Sequence, residues 1–450
     1  MAFDLDLYQN STTYSLDSGT YVYGVDWVPM NGNDTETEVV ESILIKLKGT
    51  GAQILAQVSV WERLLSEAED YAKTSINQLL RVMIRARLDT GESLYESVVL
   101  GGWISWNSRK PQISLVSQFA EITVSVRRQN FWDAVTPIVI PLTNRYATRT
   151  TSAIAVDNRD DSTHDNFVTI TGTDVLGSLP GATKIEFKNT FNDSLRAGDV
   201  YFFLNRRSAP ASFQHMIEGE SATSGGSTVA DANASGGNTR TVTIAATGET
   251  TMYYWDLTTT VLDNAKGNLF RIYGSFKGLS SVASTWIKLF ISIAGLTILS
   301  EGKWKIISGY TGALVDFGTF RLPPYLVDTG SVYPLRLHMV VKTTNSTSRP
   351  FDLDYLLLGS VDENRVLRSN GYGLGYNVTL YDDPKNRALY TDGWSSTGKL
   401  GNYIGIGDPI KLWPGADSKL YFLWGSQTGS WISKYTATVK ISHYPRKRAL

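Results

Sequence analysis

The side chains best suited to chemistry in this 450-residue chain are scattered rather than grouped. Four histidines, His164, His215, His338 and His443, stand far apart, and none forms HExxH or another metal-binding spacing. Each reads as structural; alternation in LRLHMVV places His338 within a strand. Neither a G-x-S-x-G elbow nor a Walker loop occurs. GYGLGYN at Gly371–Asn377 has the wrong spacing for a nucleotide loop and no helix pattern follows it, so a turn-rich strand connection is expected. Asp382 with Asp383, and Asp352 with Asp354, are carboxylate pairs of the type that hydrolyses glycosides, yet nothing sets either pair across a cleft. Asp382 to Pro384 reads as a turn, because Asp caps its own backbone and Pro fixes φ. No constellation recurs at a spacing that catalysis demands, so the chain is not expected to be an enzyme. The absence of cysteine removes disulfide frameworks, zinc ribbons, iron–sulfur clusters and thiol nucleophiles.

Other residues suit binding. Glu218 and Glu220 are two apart, which on one strand would simply give them a shared solvated face. Sugar binding asks for an exposed aromatic plate ringed by polar groups, and Tyr253, Tyr254, Trp255, Trp286, Trp304 and Tyr310 are available. In TMYYWDL, Tyr253 and Trp255 share one face and Tyr254 takes the other, so at least one ring is core. Trp286 and Trp304 fall near turns at the edges of strands. Trp286, Trp304 and Tyr254 are therefore the candidate carbohydrate-binding residues. In LRVMIRARL, Val82, Ile84, Ala86 and Leu88 face a core while Arg81, Arg85 and Arg87 form a row on the opposite side. That row is a candidate interface with carboxylates of a neighbouring chain, the alternative being a solvated strand face.

The elements that must position these residues are mostly strands. At about 150 residues per domain the length allows roughly three domains. Lys plus Arg is 42 against 43 for Asp plus Glu, so no basic field exists to grip nucleic acid. Charged residues are only 19%, and Trp 12, Tyr 23, Phe 16 and Gly 39 make up the difference, a β-rich signature. One stretch reads as a long helix, GAQILAQVSVWERLLSEAEDYAKT, where Ile54, Val58, Trp61, Leu65, Ala68 and Ala72 recur at helical steps. The pattern is too short for a coiled coil, so a helix laid on a sheet is expected. Strands such as ESILIKLKG, GGWISW and EITVSVRR surround it. The run from Trp286 to Ser300 is shorter than a membrane span, contains Lys288 and is broken by Gly295, so it predicts two strands around a turn and no membrane insertion. MAFDLDLYQN carries no secretory signal pattern, and synthesis in the cytoplasm is expected. Pro137 and Pro141 mark a boundary near residue 145, beyond which short alternating strands have the texture of β-sandwiches. Glu220 to Thr239 is small and polar enough for a linker or for a long loop with a strand edge.

The order of strand, helix ending in WERLLSEAEDYAKT, LRVMIRARL strand, meander and closing VSVRRQNFW resembles the N-terminal belt domain of tailed-phage distal tail and minor tail proteins. That resemblance implies a ring at the tail end. FQHMIEGESATSGG, NASGGNT and FDLDYLLLGSV together resemble a family 6 or 35 carbohydrate-binding module with a jelly-roll fold. It puts Glu218 and Glu220 on the opening carboxylates, Ala234 to Gly237 on the loop and Asp354 on the closing aspartate, and so implies a structural calcium held by Glu218, Glu220 and Asp354.

The expected fold class is mainly β: a belt-like domain with one long helix over 1–145, a discontinuous galectin-like or jelly-roll sandwich from 146–212 and 361–450, and an inserted jelly roll over 213–360. The expected function is a virion structural protein of the phage distal tail or baseplate, located at the tail tip. It would form a homohexameric ring, contact tube and tail-hub proteins, and touch host-surface glycans. A non-catalytic polysaccharide-binding protein outside a virion and a head-decorating protein are the alternatives.

Overall fold

The computed structural model describes residues 4–450 apart from 31–36, 75–80, 90, 114–116, 160–162, 192–199, 209–213, 232–233, 245–247, 259–260, 262–264, 266, 278–284, 294–296, 307–311, 325–334, 344–348, 370–373, 387, 393–402 and 426–435. Gly295, Tyr310 and the first three residues of GYGLGYN therefore lie outside the described residues. The fold is mainly β, with one long helix, Gly51–Thr74, near the start. No described helix is long and apolar enough to cross a membrane.

The helix begins where its sequence provides a cap. The Gln53 N–H donates to Thr50 Oγ1 at 3.3 Å and the Thr50 N–H donates to Gln53 Oε1 at 2.9 Å, a reciprocal capping box. Gly51 is required by close approach, since a Cβ there would lie 2.0 Å from the Gln112 carbonyl oxygen. Ile54, Val58, Trp61, Leu65 and Ala68 are buried, as the helical spacing predicts, and pack on a nine-stranded antiparallel sheet. Its spine is Glu38–Gly49 paired with Gln118–Gln129 from Glu38↔Gln129 to Gly49↔Gln118. Beyond these lie Tyr95–Trp106, Met83–Arg87, Asp4–Gln9 and Thr12–Ser15 on one side and Val22–Trp27 on the other.

Two more pairs of sheets follow. Strands from Ile154–Asp157 to Val200–Arg207 join strands from Asn364–Ser369 to Thr436–His443, so both flanks contribute to one antiparallel sandwich. Phe187 is its centre, with ring centroids of Tyr201, Phe203 and Trp424 at 5.7, 5.7 and 4.9 Å. Ile140 and Leu142 already pack into this core, before the sequence boundary near 145. Between the flanks, Arg349–Ser360 and its neighbours face a second sheet built on Leu335–Thr343, around a core drawn from Ile217 to Leu358. The Glu220 to Thr239 stretch belongs to this sandwich and is no linker, because Ser227–Ala230 and Asn238–Ile244 pair within it. Thr285–Ile293 and Thr297–Glu301 are the two antiparallel strands expected of the longest apolar run. Phe202 and Tyr273, with centroids 4.3 Å apart, knit the two sandwiches together.

The end of the first core is closed by an ion pair that no water reaches. Arg128 Nη2 donates to Glu41 Oε1 at 2.5 Å, and both side chains are 0% exposed. Glu41 Oε2 accepts from Trp27 Nε1 at 2.9 Å and from the Met30 N–H at 3.0 Å, so the carboxylate is fully coordinated. Removing one partner leaves the other charge buried alone. Glu41→Ala should cost about 3–5 kcal/mol, whereas the double change Glu41→Leu with Arg128→Met should cost far less. Calorimetry of the full chain reads both as shifts of the transition belonging to the helix-bearing unit.

Candidate functional site

Asp354 occupies an irregular point on Arg349–Ser360, the strand on which its sheet is centred. On one edge that strand pairs first with Asn238–Ile244, up to Leu353↔Arg240, and then with Gln214–Glu218, from Tyr355↔Glu218. On the other edge Leu353 opposes Phe276 and Tyr355 opposes Ser275, so Asp354 is a bulged residue with no opposing partner. The gap beside it is filled by two short turns, Gly219–Ser221 and Ser235–Gly237. Here the structure corrects the shared-face account of Glu218 and Glu220: Glu218 ends a strand and Glu220 lies in a 3-10 turn.

The turns bring the three carboxylates together. The Ser235 N–H donates to Asp354 Oδ1 at 2.8 Å, Ser235 Oγ donates to Glu218 Oε1 at 3.0 Å, and Ser275 Oγ donates to Asp354 Oδ2 at 3.3 Å. Gly236 has φ +64°, a conformation that favours glycine, and a Cβ on it would stand 2.8 Å from Glu220 Oε1 and push that carboxylate aside. Glu220 Oε2 is buried and accepts no hydrogen bond among the described residues. Burial first, and then the Glu218 charge, hold the Asp354 carboxyl well above the usual range, against the opposing hydrogen bonds from Ser235 and Ser275. Burial likewise raises Glu220. Hard oxygen donors with an unsatisfied buried oxygen fit a calcium ion in chemistry. In geometry, among the described residues no three His, Cys, Asp or Glu side chains already stand as a metal-holding group. The carboxylates surround the turn without forming a closed cage.

The aromatic candidates gather on the outer face of the neighbouring sheet. Tyr253 and Trp255 are core, and Tyr254 faces the other way. Tyr254 stands opposite His338, which stands opposite Phe290, with ring centroids 5.8 and 4.5 Å apart. Trp286 lies four residues along the strand from Phe290 and on the same face, roughly 13 Å away. Trp304 lies under Lys288, whose Nζ is 4.7 Å from its ring and 2.6 Å from Glu301 Oε1. Trp286, Trp304 and Tyr254 are half-buried, and Arg336 lies over the Tyr254 ring, 4.5 Å from its centroid, much as Lys288 lies over Trp304. Sequence reasoning read His338 as structural and did not single out Phe290, and these two rings continue the row from Tyr254 along the same face as Trp286. Burial, followed by the Arg336 charge, lowers the His338 pKa, so its ring is neutral and stacks as an aromatic.

The other candidates have partners within the chain. Arg85 Nε pairs with Glu96 Oε2 at 2.9 Å and lies 3.3 Å over the Tyr8 ring, and Arg87 pairs with Asp4. These two guanidinium groups are thus engaged inside their own sheet rather than held open for a neighbour, while Arg81 lines an adjoining cleft. Asp382 meets Arg365 through two bonds of 3.0 Å, and Asp383 accepts from Tyr444 at 2.9 Å. His443 is fully buried with Nε2 2.9 Å from the Leu176 carbonyl oxygen.

No protein-family model matches the chain, and no curated protein matches it. Among solved structures, a mutant VP2 protein of infectious bursal disease virus is similar at 8% identity, covering 69% of this chain and 79% of that chain with a TM-score of 0.20. An exo-beta-1,3-galactanase from Phanerochaete chrysosporium is similar at 9% identity, covering 75% and 81% with a TM-score of 0.19. Likenesses with TM-scores of 0.20 and 0.19 carry no argument about fold or function.

The raised pKa of Asp354 has a sign that can be measured. The folded chain holds a proton that the unfolded chain releases near pH 4, so stability is fully present below that pH and is lost as pH rises through the folded pKa. In chelator, the melting temperature of the inserted sandwich should fall on going from about pH 4 to neutral, and Asp354→Asn should flatten that fall. Parallel curves for the two proteins would show that the Asp354 pKa is not raised by folding.

Proposed function

We propose that this chain is a virion structural protein of the phage distal tail or baseplate, assembling as a homohexameric ring at the tail tip and displaying its inserted sandwich to host-surface glycans. The observation that carries the reading is the two-sided character of the first sheet. The helix covers its inner face, while Phe119, Tyr23, Trp103 and Val40 on the outer face are 61, 54, 53 and 38% exposed. Tyr23 and Phe119 meet edge to face at 5.6 Å. Register puts Phe119, Trp103 and Val40 on one side of adjacent strands, so a second copy can cover them together. Tube and tail-hub proteins would meet the ring along its axis. Synthesis takes place in the host cytoplasm.

Calcium belongs to the same proposal. Glu218, Glu220 and Asp354 would hold it, with the ion offsetting the repulsion among three gathered carboxylates. Trp286, Trp304 and Tyr254 would give the sugar its stacking surface, with His338 and Phe290 extending the row. A polysaccharide-binding protein outside a virion would use the same aromatic face but would leave the outer face of the first sheet without a partner.

Mass photometry of the full chain at micromolar concentration should find six-copy rings, and Phe119→Asp with Trp103→Asp should return monomers of unchanged melting temperature. A monomeric wild type that stays monomeric when tail-tube protein is added contradicts ring assembly. Calcium at a hundredfold excess over its Kd should stabilise by about 2.7 kcal/mol, roughly 5–10 °C in the inserted sandwich, and Glu220→Gln should abolish the gain. On a glycan array, signal from the full chain should vanish in Trp286→Ala or Trp304→Ala proteins that melt normally; an unchanged signal removes the aromatic platform.

A further inference from the structure

A cleft of about 460 Å³ separates the first sheet from the sandwich built by the two flanks, and neither assembly nor sugar stacking uses it. Its floor follows from strand alternation: Val82, Ile84 and Ala86 point into the first core, which turns Arg81, Met83 and Arg85 toward the cleft. The facing wall is formed by Pro384, Lys385 and Lys411, and the returning C-terminal segment adds Arg446. Five basic side chains thus converge on one concavity that contains two carboxylates, Glu96 and Asp133.

Both carboxylates are already engaged by the cleft's own cations. Glu96 takes Arg85 Nε at 2.9 Å on one oxygen and Lys385 Nζ at 2.9 Å on the other. Asp133 takes Arg446 through bonds of 2.6 and 2.9 Å. Two of the cations are also fixed against rings, Arg85 over Tyr8 at 3.3 Å and Arg446 over Phe131 at 3.7 Å. Lys411 is exposed at the rim. Ion pairs and rings hold Arg85, Lys385 and Arg446 in place before any ligand arrives, and low-dielectric walls focus the excess field of the five cations over the two carboxylates.

We propose that this cleft binds a small oxyanion-bearing molecule, a phosphate or carboxylate carried on a body the size of a sugar, and that the bound molecule clamps the two units together. The volume lies in the range of small-molecule sites, and preset guanidinium and ammonium groups are the donors such anions take. On the aromatic face of the inserted sandwich the cations over the rings, Lys288 and Arg336, are each matched by a carboxylate, Glu301 and Asp256, whereas the cleft sets five cations against two carboxylates, so the two sites differ in ligand chemistry.

Isothermal titration of the full chain with pyrophosphate, glucose 6-phosphate, glucuronate and glucose tests this. At least one anion should bind with a Kd below about 1 mM while glucose does not, and pyrophosphate against glucuronate separates phosphate from carboxylate preference. Lys411→Glu, an exposed change that leaves the fold intact, should weaken binding at least about tenfold, and Arg81→Gln should do the same. The proposal is overturned if no anion binds at about 10 mM, if glucose binds as well as glucose 6-phosphate, or if Lys411→Glu binds the anions as tightly as the wild type.

Discussion

The structure of the first unit depends on one pairing, Glu38–Gly49 against Gln118–Gln129, because its unbroken register decides which residues face the helix and which face outward. Ile43, Ile45 and Leu47 meet Ala120, Ile122 and Val124 on the inner face, and the helix seals them. At the end of that face the alternation places two charges, Glu41 and Arg128, out of reach of water, where each other, backbone groups, the Trp27 indole N–H and the Trp132 ring satisfy them. The same register sends Phe119, Trp103 and Val40 to the opposite side, where they stay exposed although Tyr23 and Lys48 lie against the Phe119 ring. A sheet with one sealed face and one aromatic open face is suited to association, and this asymmetry is the physical basis of the ring reading.

A second constraint governs the inserted sandwich. Asp354 is 1% exposed on the strand that joins three others, so its charge state affects the whole sheet. Ser235 and Ser275 supply hydrogen bonds to the carboxyl, while Glu218 and Glu220 add like charge. A proton or a cation must balance that site. The sheet that carries Tyr254, His338 and Phe290 on its outer side packs its inner side across the shared core from the sheet of Asp354.

Much of this was legible in the sequence where a local pattern ran long enough. The helix was, because Ile54, Val58, Trp61, Leu65 and Ala68 keep helical spacing over several turns; its capping box, Thr50 with Gln53, came to light only in the structure. The strand with Ile43, Ile45 and Leu47 was legible by alternation. Features that depend on partners distant in sequence were not. Glu41 reads as an ordinary surface charge until Arg128 is placed beside it, and Arg85 reads as open until Glu96 and Tyr8 are found against it. Spacing alone put Glu218 and Glu220 on one strand face, but Gly219 starts a 3-10 turn that redirects Glu220. His338 was placed in a strand by alternation, but its stacking with Tyr254 and Phe290 was not legible, because stacking across strands requires the register of three strands at once.

The central claim is that this chain is a structural part of a tail tip. Gold-labelled antibody raised against the full chain, applied to intact purified virions and viewed by electron microscopy, tests it most directly. The account predicts gold at the distal end of the tail and nowhere else on the particle. Gold on the head, or particles that contain the chain by immunoblot yet carry no gold at the tail end after mild tail-tip disruption, would contradict it.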